Sequence, residues 1–233
     1  MKELYEGDCR DVLPTLPTGS FDLILTDPPY GQDYESHRIK KTRKKSHIIM
    51  NDKSDETLAL LREVLPQLPR LMKPDGTFLL FASATHYRVT HEIGKLILDL
   101  FPNVQVLGWN RVLLGMGNLD KGYRPVLDLI FFATMNGSYY WGGGRDVVNI
   151  LDYQRVYNPT KTVGHPTPKP YELIGKLIEL HCPPGGTILD PFAGSGITGI
   201  AAKRLGRSAV LIESKADYCR LISQSLSQEL PLY

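Results

Sequence analysis

Asp190-Pro191-Phe192-Ala193-Gly194-Ser195-Gly196, with Gly199 three residues further on, follows the short apolar run 187–189 and leads into a helical pattern. Glycines at such a strand-to-helix turn let the backbone bend sharply and come close to a bound ligand. Glu213 stands 19 residues beyond Gly194, at the end of the next apolar run. An acidic side chain there commonly accepts hydrogen bonds from ribose hydroxyls. Gly194-x-Gly196-x-x-Gly199 formally fits a dinucleotide fingerprint, so a nicotinamide-dependent enzyme is one reading. Position argues against it. Only 20 residues follow Glu213, room for one helix, whereas a dinucleotide domain needs several more strands after its fingerprint. The missing strands must come from the N-terminal part of the chain, and the expected sheet is therefore circularly permuted.

Upstream, short apolar runs alternate with helical patterns, the signature of a doubly wound, mostly parallel sheet. Strands are expected at 3–5, 23–25, 77–81, 104–108, 127–132, 187–189 and 209–212, and helices at 56–71, 86–99, 170–181, 197–205 and 215–227. The runs near Val104 and Leu127 are joined without a strong helical pattern, which predicts an antiparallel edge pair. Lys73-Pro74-Asp75-Gly76 reads as a turn. Two stretches fit no alternation. Residues 31–52 are polar and basic and are expected to form a mobile loop, while the Gly- and Tyr-rich stretch 136–164 reads as an insertion or elaborated surface.

Asp27-Pro28-Pro29-Tyr30 ends the run 21–26, which should be a buried strand delivering Asp27 to the edge where open α/β sheets bind ligands. Two prolines cannot continue the strand, and they leave carbonyl acceptors with no donors of their own. The exocyclic amine of adenine or cytosine is a poor nucleophile, because its lone pair is delocalised into the ring. Asp27 can accept one N–H and a proline carbonyl the other, so that the freed lone pair points at an electrophilic methyl group. Alignment of the two reactants supplies much of the remaining acceleration. Tyr30 offers a face for the base to stack on, typically worth about 1–3 kcal/mol. No metal is required.

The 233 residues suit one α/β domain, and a hydrophobic content of 42% suffices for its core. Three scattered cysteines, with no Cys-x-x-Cys spacing, argue against a disulfide framework or structural zinc and fit a reducing cytosol. The polar N-terminus does not read as a signal peptide, and no apolar run nears the roughly 20 residues of a membrane helix. The expectation is a soluble cytoplasmic protein. Its net charge is only +2, yet six of the eight residues from Arg38 to Lys45 are basic: Arg38, Lys40, Lys41, Arg43, Lys44 and Lys45.

Asp27–Tyr30 and Asp190–Gly196 together resemble the amino-methyltransferases of DNA, which methylate adenine N6 or cytosine N4 with S-adenosyl-L-methionine. Gly7-Asp8-Cys9-Arg10-Asp11-Val12-Leu13 is similar to the N-terminal signature of that family, and His165-Pro166-Thr167-Pro168-Lys169-Pro170 to its C-terminal one. Catalytic motif first and cofactor loop last resembles the β-type motif order. The resemblance implies a single catalytic domain, 1–233, with a circularly permuted, Rossmann-like methyltransferase fold. It implies that Asp27, Pro28, Pro29 and Tyr30 hold the target base. Asp190, Phe192, Gly194, Ser195 and Gly196 would wall the cofactor pocket, with Glu213 on the ribose and Asp8 on the adenine edge. Thr167 and Lys169 would lie near the methionine carboxylate, a placing that a lysine beside unsatisfied helix N–H groups also suits physically. The segment 133–164, where the family puts target recognition, is short here. An acid heading the tetrapeptide favours adenine, since cytosine-N4 members more often carry Ser.

The implied substrate is double-stranded DNA, with the target base flipped out at a cost of a few kcal/mol. The basic residues from Arg38 to Lys45 would contact phosphates at the rim of the pocket and make binding salt-dependent; Asn110, Arg111 and Arg124 are weaker candidates. A homodimer and a cognate restriction enzyme are candidate partners. Cytosine-N4 methylation, an inactive DNA-binding relative, and RNA as substrate are the competing readings. Trp109 and Trp141 are read as packing residues, and His86, His91 and His181 as ordinary core or surface histidines.

Overall fold

The computed structural model describes residues 2–31, 53–112, 123–156 and 167–227. The basic residues Arg38, Lys40, Lys41, Arg43, Lys44 and Lys45 lie outside them. So do His165 and Pro166.

Among the described residues eight strands form one sheet: β1 (Lys2–Glu6), β2 (Phe21–Thr26), β3 (Met72–Ser83), β4 (Asn103–Asn110), β5 (Leu127–Thr134), β6 (Ile150–Asp152), β7 (Thr187–Asp190) and β8 (Ser208–Glu213). Their order is β1-β8-β7-β2-β3-β5-β4-β6. The five strands from β1 to β3 are parallel; β5 runs antiparallel to both β3 and β4. β2 and β7, far apart in sequence, are direct neighbours with Ile24 opposite Leu189. The antiparallel β4–β5 pairing is the one expected from the absence of a strong helical pattern between the two runs. Beyond it β6 pairs parallel to β4 and closes the sheet. Three residues are too few to show a period, so this strand within 136–164 had no sequence signal.

The helices divide between the two faces by position in the chain. α1 (Cys9–Val12), α2 (Ser54–Val64), α3 (Leu68–Leu71) and α4 (Tyr87–Leu100) cover one face through Leu13, Leu61, Leu68, Ile93 and Ile97, packed on Ile24, Phe78 and Leu80. α5 (Tyr171–His181), α6 (Ile197–Arg204) and α7 (Ala216–Ser227) cover the other through Leu173, Leu177, Ala201 and Ile222, packed on Leu23, Leu79 and Ile188. Burial on both sides is why β2 reads as a continuous apolar run rather than an alternating one.

The single helix expected over 56–71 is interrupted. α2 ends at Val64, a 3₁₀ turn spans Leu65–Gln67, and α3 restarts at Leu68. Pro66 and Pro69 are the cause: each lacks the N–H of the helical ladder and crowds the carbonyl four residues back, and each sits in the first turn of the new element. Lys73–Gly76, expected as a turn between a helix and the next strand, instead belongs to β3 and forms a bulge in it. The register with β2 jumps from Phe21–Met72 to Leu23–Thr77, and the extra residues bulge outward. Lys73 Nζ clamps the bulge by donating to both carboxylate oxygens of Asp22 at 2.8 Å, and Asp22 also accepts the Thr187 N–H at 2.8 Å. That one acid ties β3, β2 and β7 together. Among the described residues no helix is long and apolar enough to cross a membrane.

Candidate active site

Parallel strands aligned in register bring their C-terminal ends to one edge, and the predicted residues collect there. β7 ends in Asp190, whose side chain is almost fully buried. Asp190 Oδ1 accepts the Phe192 N–H at 3.1 Å and the Thr26 hydroxyl at 3.2 Å, while Oδ2 accepts the Thr198 hydroxyl at 2.7 Å. The acid thus pins the glycine turn to the start of α6 and to the end of β2. Burial pushes its carboxyl up to about 7, against those three bonds. Gly194 and Gly196 adopt φ of 51° and 75°, and a Cβ on Gly196 would lie 2.8 Å from Ile222 Cγ1. Only glycine fits that turn.

Glu213, at the end of β8, faces the same turn. Oε2 accepts the Gly194 N–H at 2.9 Å and Oε1 the Lys215 N–H at 2.8 Å. Burial raises its pKa, opposed by these backbone bonds. A carboxylate oxygen has two lone pairs, so each retains capacity for a hydroxyl donor. Asp8 lies two residues past Glu6, which is opposite Glu213 in the β1–β8 register. Its carboxylate caps α1 through the Arg10 N–H at 2.9 Å and pairs with Arg10 Nη2 at 2.7 Å; the Arg10 bond holds its pKa low.

Asp27 follows β2 directly. Its Oδ1 accepts the Tyr30 hydroxyl at 2.7 Å and its Oδ2 is ion-paired with Lys169 Nζ. Pro28 is buried between them in sequence, and Pro29 and Tyr30 are partly exposed. Burial, with the charges of Asp27 and Asp128, holds the Tyr30 phenol well above its ordinary pKa. The arrangement is an acceptor carboxylate and an aromatic face set beside a nucleotide-type glycine turn. Asp27 and Gly194, separated by 167 positions, are joined through Thr26 and Asp190 on adjacent strands.

A family model described as DNA methylase, for N6 and N4 methyltransferases, matches residues 21–224. The chain belongs to this DNA methylase family. It is 30% identical over 241 residues to a protein of Escherichia coli (strain K12) named as a methylase, YubD, with 97% of this chain and 91% of that protein covered. The fold is similar to that of M1.HpyAVI in complex with S-adenosylmethionine, with a TM-score of 0.72, 23% identity and coverage of 98% and 100%. It is equally similar to that of the PvuII DNA methyltransferase, a cytosine-N4-specific enzyme, at a TM-score of 0.73, 17% identity and coverage of 98% and 87%.

Around Lys169, which belongs to the 165–170 motif, the site also holds residues that carried no motif. Lys169, 7% exposed, extends its ammonium to 4.9 Å from the centre of the Phe81 ring, 5.2 Å from Tyr30 and 5.8 Å from Trp109. Trp109 is buried and donates Nε1–H to the Tyr153 carbonyl at 2.7 Å, so it packs as expected, yet one side of its ring faces this lysine. Asp128 is buried at the start of β5, with Arg111 Nη1 at 3.7 Å. The available signal was weak: an acid at the head of a run as apolar as 129–133 is a polar group about to be buried, and buried acids are rarely idle. Among the described residues no cluster of His, Cys, Asp and Glu is arranged to hold a metal ion.

Proposed function

We propose that this member of the DNA methylase family transfers a methyl group from S-adenosyl-L-methionine to the N6 amine of adenine in double-stranded DNA, with the target base flipped out of the helix. The observation that carries the reading is the β2–β7 adjacency, in which the Thr26–Asp190 hydrogen bond holds Asp27 beside the glycine turn. Bound S-adenosylmethionine supplies an electrophilic methyl group on a sulfonium centre. Phe192, Gly194, Ser195 and Gly196 wall its pocket, Glu213 accepts its ribose hydroxyls, and Asp8 meets its adenine edge. Thr167 and Lys169 neighbour its methionine carboxylate. The spare lone pairs of Glu213, held firm by two backbone N–H groups, fit that role.

Asp27 accepts one N–H of the target amine and the Pro28 carbonyl region the other, so the nitrogen lone pair leaves the ring and is aimed at the methyl group. Tyr30, its hydroxyl anchored on Asp27, presents its ring to the base. Alignment of reactants and exclusion of water supply the acceleration. Arg38, Lys40, Lys41, Arg43, Lys44 and Lys45 contact phosphates, and the segment 133–164 contributes to target recognition. The catalytic unit is the single domain 1–233, working in the cytoplasm.

Cytosine N4 is the second reading, favoured by the likeness to a cytosine-N4-specific enzyme; the acid heading the tetrapeptide favours adenine. Mixed-sequence DNA treated with methyl-labelled donor, then digested to nucleosides for mass analysis, separates them. N6-methyladenine is the expected product, N4-methylcytosine transfers the case to the second reading, and no labelled nucleoside overturns both. Asp27→Ala is expected to abolish transfer while leaving donor binding near normal.

A further inference from the structure

Both oxygens of Asp27 are engaged by the protein's own donors, the Tyr30 hydroxyl on Oδ1 and the Lys169 ammonium on Oδ2. The ammonium is buried among Phe81, Tyr30 and Trp109, whose ring faces attract a cation. An acceptor oxygen amid aromatic faces is also what the target amine and its planar ring need. Each oxygen keeps a second lone pair, but the ammonium lies over the Tyr30 ring, the face on which the base would stack. Lysine and base therefore compete for one seat, and the base is held once the ammonium leaves.

A buried ammonium that loses its carboxylate without finding another is left as an uncompensated charge out of water. Asp128 is suited to receive it. In the antiparallel ladders Asp128 stands directly opposite Ser83 on β3 and Trp109 on β4. Directly opposed residues project from the same face, as do residues two apart on one strand, so Asp128, Trp109 and Phe81 share the face on which Lys169 lies. The Arg111 pair at 3.7 Å is long for a hydrogen bond and leaves Asp128 room for a second cation. Burial raises the Asp128 pKa, and the charge of Lys169 opposes that rise more strongly than the charge of Arg111 does.

We propose that Lys169 is a two-position cation guarding the target-base seat, resting on Asp27 when no base is bound and turning to Asp128 when the base's amine takes its place. Asp128 is then a positioning residue of the reaction: it touches neither base nor donor, and it stabilises the displaced ammonium. The inference rests on the reading of Asp27 as acceptor for the target amine.

The test is a double-mutant cycle with mixed-sequence DNA and methyl-labelled donor at saturation, and donor affinity measured by calorimetry as a check of folding. Asp128→Asn strands the ammonium on Asp27 and is expected to lower kcat/KM for DNA at least tenfold, with donor Kd within twofold. In a Lys169→Met background, itself impaired, the same substitution should change kcat/KM less than twofold, because no ammonium remains to strand. Asp128→Glu, which keeps the charge but adds bulk, should recover most of the loss. A packing role for Asp128 predicts the opposite: equal losses in both backgrounds, and Glu worse than the isosteric Asn. Either result overturns the proposal. So does a silent Asp128→Asn alongside a weakened donor Kd in Lys169→Met, which would assign the second seat to the donor's own carboxylate. Failure of the wild type to methylate DNA at all would instead sink the functional reading beneath it.

Discussion

Asp190 should make this protein less stable as pH rises through neutrality. Its carboxyl, pushed up to about 7 by burial and by the charge of Asp27, titrates near 3.9 in the unfolded chain. Between those values the folded state keeps a proton that the unfolded chain has released. Folding stability therefore falls as pH climbs from about 4, and the fall levels off above about 7. Integrated from pH 6.5 to 8, this one group removes roughly 0.8 kcal/mol. Other groups also titrate near this window. His181, pushed down to about 4 by burial, acts in the opposite sense, with stability lost as pH falls, mainly below about 6.5. Cys9 and Cys182, pushed up to about 12, and Cys219, to about 11, act at the alkaline side, where unfolded thiols ionise near 8.5. Asp190→Asn keeps its carbonyl oxygen for the Phe192 N–H and the Thr26 hydroxyl and turns its amide N–H to the Thr198 oxygen. Any cost of that exchange is independent of pH, so the pH dependence of the difference between the two proteins isolates the titration of Asp190. In a domain of this size about 1 kcal/mol moves the melting temperature by 2–4 °C. From pH 6.5 to pH 8 the wild type should therefore lose roughly 2–3 °C relative to the variant. Thermal melts of both proteins at constant ionic strength give the comparison. Parallel curves would refute the reasoning, because they would mean that Asp190 is already ionised in the fold.

Glu213→Gln turns one of two backbone-bonded oxygens into an amide donor facing an N–H. With a charged hydrogen bond worth about 1.5–3 kcal/mol, the Kd for S-adenosylmethionine should rise about ten- to a hundredfold by calorimetry, and an unchanged Kd would remove Glu213 from the ribose site. Gly196→Ala meets both a φ of 75° and the Ile222 side chain, and should cost about 1–3 kcal/mol in denaturant titration; a wild-type midpoint would contradict the close approach. His181→Phe should stabilise by about 1 kcal/mol, since Nδ1 is buried without a hydrogen-bond partner and the ring already packs on Phe132 and Trp141. A lower melting temperature in that variant would show that Nδ1 is satisfied. Neutralising Arg38, Lys40, Lys41, Arg43, Lys44 and Lys45 should weaken DNA binding and flatten the plot of log affinity against log salt by about 0.9 for each phosphate no longer neutralised; an unaltered slope would exclude these residues from the interface.

Most elements were legible because their signals are local. The run 21–26 is apolar almost throughout, as a strand covered on both faces must be, and Pro28-Pro29 mark its end. Gly194 and Gly196 mark a turn that larger residues cannot make, and Gly199 lets α6 pack closely on Leu211 of β8. The break at Pro66 and Pro69 is equally local, and the two prolines that cause it stand in plain view within the expected helix 56–71. β6 was not legible: three residues, one of them buried, hold no period.

The two chemical ends of the site, the acid with its prolines and the glycine turn with its distant acid, are written in local sequence, because each is built from residues whose backbone preferences are set within a few bonds. What stands around Asp27 depends on the assembled fold. Lys169 is 142 positions away, and Phe81, Trp109 and Asp128 come from three different strands. Their meeting depends on strand order and register, where a shift of one residue would turn each of these side chains to the opposite face of the sheet. Register is a property of the packed sheet as a whole, and no short stretch of this chain encodes it.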